Sequence, residues 1–210
     1  MTAVTDVSGL PPPRQQRSRE VMERVQDAAQ AILVEDGIEG LTVAAVAERA
    51  GTSVGGVYRR FRDKDHLLAA VKTQLLGELE DTLETQLSQG NLSLRTAVLV
   101  FTDAMAQTFG IKYGRVFAEL FRGQNPELDE LGRRATLNLL ACFERAVASH
   151  RGEVLRADAD AALATVSSTI ISACIHRGVG GTIVTQGVPW PEYASRLGDM
   201  CYAYLTTPGP

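Results

Sequence analysis

Residues 37–64 read GIEGLTVAAVAERAGTSVGGVYRRFRDK, and the parsing of this stretch decides how the rest of the chain is organised. Thr42 places an oxygen just ahead of the apolar series Val43, Val46 and Ala47, with Glu48 and Arg49 left for solvent. That is how a short amphipathic helix begins at a side-chain cap. Gly51 ends it, and Thr52 or Ser53 can cap a second helix running through Val57 and Tyr58 to Phe61. The unit over 42–61 is therefore helix, tight turn, helix. In such a unit the second helix enters a DNA major groove and the first crosses the backbone.

Charge is distributed to suit that reading. The net charge is -4, which would disfavour a nucleic-acid partner if it were spread evenly. It is not: between residues 49 and 64, Arg49, Arg59, Arg60, Arg62 and Lys64 face the single acid Asp63, whereas residues 65–210 hold 12 basic and 16 acidic side chains. Phosphate contacts need local cations, so an acidic remainder does not forbid them. The alternative is that Arg59, Arg60 and Arg62 are a solvated helix face.

Outward from this motif the chain reads as all-α. Residues 1–16, with three consecutive prolines, are expected to be a disordered tail. Residues 17–63 form a three-helix head, whose first helix spans about Arg17 to Glu35 and buries Val21, Val25, Ala28, Ala29, Ile32 and Leu33. It covers the inward side of the next two helices, represented by Leu41, Val43, Val46, Val57 and Phe61. Residues 64–210 form a larger helical domain. A long helix from Lys64 to Leu87 opens it, with the stripe Leu67, Leu68, Val71, Leu75, Leu79 and Leu83. Helices are then expected over 92–109, 113–121, 126–150, 158–177 and 191–205, parted by Gly110, Gly123, Gly152 and the cluster Gly178, Gly180, Gly181.

The run AALATVSSTIISACI at 161–175 is too short to cross a bilayer and too apolar for a surface helix. It should be covered on both sides, by the domain's own core and by a second subunit. No membrane partner is expected. The opening MTAVTDVSGLPPPRQQR lacks the basic start and apolar middle of a signal peptide, and Cys142, Cys174 and Cys201 lack CxxC spacing, so a reducing cytoplasm is the expected location.

The segments GIEGLT, AERAG, TSVGGVYRRF and DK-HLL together resemble, in order and spacing, the DNA-binding domain of TetR-family transcriptional regulators, over about Ser18 to Gly77. The resemblance implies a homodimer whose last two helices pair across a twofold axis, a palindromic double-stranded DNA operator, and a C-terminal domain that binds a small-molecule effector. The candidate DNA-contacting set is Thr42, Thr52, Ser53, Val54, Gly55, Gly56, Tyr58, Arg59, Arg60 and Lys64. Amides near Ser53 to Gly55 and the Ser53 hydroxyl can meet phosphate, Arg59 can read guanine bidentately, and Lys64 sits where a cation clamps the backbone. Relatives commonly carry Thr, Ser or Ala where this chain has Gly56. Either the backbone comes very close to DNA there, the preferred reading, or the helix is loose until bound.

An apolar effector would be met by Phe101, Met105, Phe109, Tyr113, Phe117, Phe121 and Phe143, which are equally suited to plain core. Arg133 and Arg134 could attract an anionic effector or be ordinary surface, and Glu78, Glu80, Asp81 and Glu84 read as a solvated face. Cys174 and His176 lie two residues apart on different helix faces and cannot share a metal unaided. No cofactor, metal or catalytic residue is expected, nor any enzymatic activity, since no nucleophile or phosphate-loop motif occurs. The rival reading is a helical carrier or enzyme with an incidental basic head.

Overall fold

The structure, a computed structural model, describes residues 13–88, 92–122, 126–180 and 187–209, with no strand among them. The chain divides into two compact units, Met1–Leu67 and Leu68–Pro210. The division falls inside a helix, a few residues beyond the expected boundary between 63 and 64.

In the first unit α1 spans Pro13–Glu35. It begins four residues before the expected start, at a proline whose missing N–H costs nothing in a first turn. Of the expected tail, residues 13–16 are thus helical, and 1–12 lie outside the described residues. Gly37, at φ 72°, turns the chain out of α1 and into the single turn α2, Gly37–Gly40. α3 is Val43–Arg49 and α4 is Val54–Tyr58. Gly51, at φ 62°, makes the turn between them. Val25, Ala29, Leu33, Leu41, Val46, Val57 and Phe61 are buried together, while Val21 and Val43 are half-buried. Each fully buried aliphatic or aromatic side chain contributes about 1.5–3 kcal/mol, enough to hold helices too short to persist alone.

α5 spans Lys64–Leu87. In the second unit its buried stripe includes Leu68, Val71, Leu75, Leu79 and Leu83, and in the same register Lys72. α6 is Leu94–Ala106, capped by Ser93 Oγ on the Thr96 N–H at 3.1 Å. Where one helix was expected to 109, the chain instead enters a π-helical turn, Gln107–Lys112, followed by α7, Gly114–Arg122. α8, Pro126–Val147, tightens into a 3-10 turn over Ala148–Glu153. α9, Ala159–Gly180, starts at Asp158, whose Oδ1 accepts from the Ala161 N–H at 3.0 Å, and α10 is Trp190–Thr206. α10 packs on α6 and α9, and α9 also packs on α6, α7 and α8.

The expected break at Gly178 is absent because that glycine works inside α9: a Cβ there would lie 2.3 Å from the Phe109 carbonyl oxygen, so its lack lets the π turn press onto the helix. Gly181 lies outside the described residues. Arg177 is buried beside it, its guanidinium 4.7 Å from the Trp190 ring centre and 4.1 Å from that of Tyr193, donating to the Val188 carbonyl. By length and composition α9 is apolar enough to cross a bilayer. Here Leu163, Val166, Ile170, Ile171 and Cys174 are buried within the unit, and Ala161, Ala164, Thr165, Ser168 and Ser172 form an exposed face of small side chains. The acidic run is not uniformly solvated. Glu78 accepts from the Tyr113 hydroxyl at 2.9 Å and Glu80 from Asn138 at 3.1 Å, whereas Asp81 and Glu84 are exposed.

Candidate nucleic-acid interface and effector cavity

Two side-chain caps set the geometry of the head. Thr42 Oγ1 accepts from the Ala45 N–H at 3.1 Å and Ser53 Oγ from the Gly56 N–H at 3.0 Å. Ser53, rather than Thr52, is therefore the cap of α4, at a typical value of about 1 kcal/mol. α4 is shorter than expected and ends at Tyr58. Phe61 lies beyond it, its N–H on the Val57 carbonyl at 2.9 Å and its ring buried.

With Val57 and Phe61 turned inward, α4 presents Val54 (45% exposed), Gly55, Tyr58 (53% exposed) and Arg59 to solvent. Two large apolar or aromatic side chains on the outside of a helix this short are costly for a free surface and suit a contact. Gly56 behaves otherwise. It is buried, and a Cβ there would lie 2.6 Å from Thr52 Oγ1 and 3.2 Å from the capping Ser53 Oγ, whereas one at Gly55 would meet nothing within 4 Å. Gly56 was expected to bring backbone close to DNA, and in the structure it is buried. Gly56 is a glycine for the head's own packing, and the bare outer backbone is at Gly55.

The cations also divide. Arg49 donates twice to Glu35, both at 2.6 Å, which holds the Glu35 carboxyl below its ordinary range. Arg62 pairs with Asp63 at 2.9 Å, and the Asp63 carboxyl is lowered first by the His66 N–H and then by Arg62. Arg60 turns back on its own helix, donating to the Gly56 carbonyl at 2.9 Å and reaching Ser18 Oγ at 3.5 Å, with its Nε buried and unpartnered. Lys64 Nζ donates to the Ile38 carbonyl at 2.8 Å, which leaves an exposed ammonium fixed beside α2. Arg59 is exposed, and its side chain makes no hydrogen bond or ion pair among the described residues. The structure thus brings Thr42, Thr52, Ser53, Val54, Gly55, Tyr58, Arg59 and Lys64 together in the head and sets Arg60 and Gly56 to internal work. Ser18, Glu35 and Ile38 are the positioning partners that spacing within 42–61 could not reveal.

A family model described as bacterial regulatory proteins, tetR family, matches residues 26–71, which contain both capped helices and Lys64. The regulator BetI of Serratia proteamaculans is 30% identical over 132 residues, covering 59% of this chain and 67% of BetI. The chain belongs to the TetR family. It is a helix-turn-helix DNA-binding transcriptional regulator by that membership. The repressor KstR of Mycolicibacterium smegmatis is 46% identical over 52 residues, 25% of this chain and 26% of KstR. Among solved structures, FadR of Bacillus subtilis in complex with stearoyl-CoA superposes with a TM-score of 0.69 at 16% identity, over 87% of this chain and 98% of that one. At that identity the superposition speaks for the fold alone.

In this TetR-family chain the described members of the aromatic set pack into the core. Phe101, Met105, Phe109, Tyr113, Phe117 and Phe143 are all buried, with the Phe101 and Phe143 rings 4.9 Å apart and those of Phe109 and Phe117 4.5 Å apart. The Phe121 side chain lies outside the described residues. Such ring pairs are close-packed core. The space lies next to them: a cavity of about 170 Å³ between α5, α8 and α9, lined by Lys72, Leu76, Phe109, Asp129, Gly132, Arg133, Ala135, Thr136, Leu139 and Ile175. Among the described members of the expected set, Phe109 reaches it. The one available signal was Lys72 itself, a lysine spaced at four from Leu68 and at three from Leu75, on the buried side of α5.

Proposed function

We propose that the chain is a cytoplasmic repressor that binds a twofold operator as a homodimer and releases it when a small molecule fills the C-terminal unit. The observation that carries the DNA half is the outer face of α4, where Val54, Gly55, Tyr58 and the unpaired Arg59 are exposed while the same helix is anchored by Val57 and a serine cap. In this reading Arg59 reads a base edge, Tyr58 packs on a sugar or a thymine methyl, and Lys64 and Thr42 hold phosphates. KstR, 46% identical over 52 residues, is a repressor.

Dimerisation is supported by α9, whose exposed face of Ala161, Ala164, Thr165, Ser168 and Ser172 is uncharged and small enough for close helix approach, and by Met200 (58% exposed) and Tyr204 on α10. Release is supported by the cavity and by the relative FadR, which was solved with stearoyl-CoA. The cavity residues Lys72 and Leu76 belong to α5, the helix that begins at Lys64. A ligand shifts DNA binding only through its differential affinity for two conformations, and DNA must weaken the ligand by the same factor.

The test is nuclease protection of the chain's own upstream DNA. Protection of a palindrome, lost as salt rises, is the expected result. Uniform protection without a preferred site, or none, would defeat the proposal.

A further inference from the structure

The cavity between α5, α8 and α9 owes its space to two residues of α8 that are small for their places. Gly132 and Ala135 stand between the buried Leu128 and Leu139 on the inner side of that helix. A Cβ at Gly132 would lie 3.3 Å from Lys72 Nζ, so the glycine also admits that side chain. Leu76, Phe109, Ala135, Leu139 and Ile175 supply apolar walls.

The polar groups on the walls are balanced in charge and already in use. Lys72, 1% exposed, donates to the Leu128 carbonyl at 2.7 Å, and the Asp129 carboxylate lines the same cavity. Burial pushes the Lys72 pKa down and Asp129 pushes it back up. Arg133 donates twice to Glu130, at 2.8 and 2.7 Å, and the Thr136 hydroxyl donates to the Gly132 carbonyl at 2.9 Å. An anion between these walls would gain from Lys72 and lose to Asp129, and a cation the reverse. Either would surrender its hydration to walls whose charges offset each other, whereas a neutral apolar guest gives up none and removes its own surface from water. The volume sets the rest: about 170 Å³ compares with the about 150 Å³ of an apolar cavity that holds benzene. That is far too small for an acyl-CoA.

We propose that this cavity takes a neutral, largely apolar molecule the size of one substituted benzene ring, seated against Phe109, Leu139 and Ile175, and that it rejects carboxylates and amines of the same bulk. The proposal rests on the effector reading above and moves the expected apolar effector from the aromatic set to this cavity. Its size limit is set by Leu139 and Ala135, and its charge limit by the opposition of Lys72 and Asp129.

Toluene, benzoate and benzylamine, close in bulk and different in charge, test it by calorimetry on the full DNA-free chain. Wild type is expected to bind toluene at least about 100-fold more tightly than either ion, a ratio well within what an uncompensated buried charge costs. Ala135→Leu fills the space and should abolish toluene binding. Leu139→Ala widens it and should shift the preference from toluene toward naphthalene by at least about tenfold, which keeps the site testable should the leucine variant not fold. Comparable affinity for the three probes, tighter binding of either ion, no binding of toluene near its saturation, or binding unmoved by these substitutions would overturn it. Operator binding is followed separately by fluorescence anisotropy. Toluene that binds in this cavity without moving the operator equilibrium upholds the neutral site and defeats the effector reading, while release by benzoate or benzylamine with toluene inert defeats the neutral site and keeps the effector.

Discussion

Placing one alanine at each of two adjacent glycines separates packing from DNA contact in α4. At Gly55 a Cβ meets nothing within 4 Å, so Gly55→Ala gains the helix propensity difference of up to about 1 kcal/mol. At Gly56 the Cβ lands 2.6 Å from Thr52 Oγ1 and 3.2 Å from Ser53 Oγ. Room can be made only by rotating Thr52 and loosening the serine cap, whose loss costs roughly 0.5–2 kcal/mol against the same propensity gain. The two variants should therefore differ by about 1 kcal/mol or more in the local stability of α4. Hydrogen exchange of residues 54–61 in the full chain reads this directly: about fivefold slower in Gly55→Ala, unchanged or faster in Gly56→Ala. Affinity for DNA should run the other way. If the outer backbone at Gly55 comes against the duplex, the stiffer Gly55→Ala helix binds at least about tenfold more weakly, a loss of about 1.4 kcal/mol. Gly56→Ala should lose no more affinity than its own destabilisation explains. Equal slowing of exchange in both variants would refute the packing argument, and undiminished DNA affinity in Gly55→Ala would refute close approach.

Arg59→Ala should cost about 1–3 kcal/mol on the protected site and little on random DNA, because an unpaired guanidinium on the outer face is free to read a base. Lys64→Ala should instead weaken both DNAs alike and lower the salt slope by about one, and equal behaviour of the two variants in anisotropy titrations would sink that division of roles. Ser168→Arg places a long charged side chain on the small exposed face of α9 and should yield monomers in sedimentation velocity that no longer protect a twofold site; an intact dimer would move the interface elsewhere. Burial pushes the thiol of Cys174 up to about 12 and that of Cys201 to about 11. Neither should react with a disulfide reagent at pH 8 until the chain is unfolded. Above pH 9.0, the ordinary thiol value, the unfolded chain loses protons that the native chain keeps, so stability falls as pH rises from there toward about 12. Cys174→Ala should flatten that fall in urea titrations, and an unchanged slope would contradict the burial argument.

What spacing could show, it showed locally. α5 was readable to the residue because its leucines recur over six turns and its ends carry no competing signal. The two head helices were readable because an oxygen-bearing residue, an apolar step and a glycine at positive φ each constrain the backbone independently. The π turn at Gln107–Lys112 was not readable, since one inserted residue leaves the apolar pattern of α6 running on; only the contact of Phe109 with Gly178 on α9 reveals why the ladder is broken there. Arg60 turns back on its own helix for a similar reason. Its direction depends on α4 ending at Tyr58, and that end is set by Phe61 being drawn into the core.

The cavity shows where such reading has to change its question. Aromatic side chains that can reach one another will pack to crystal-like density, so a cluster of phenylalanines predicts filled space, as the Phe101–Phe143 and Phe109–Phe117 pairs demonstrate. Space persists where residues break the stripe they stand on: Gly132 and Ala135 are too small for the inner side of α8, and Lys72 is too polar for the inner side of α5. Each of these misfits costs stability in the empty protein, through helix propensity at the glycine, lost contacts at the alanine and desolvation at the lysine. Three costs that converge on one volume are hard to retain unless something occupies that volume.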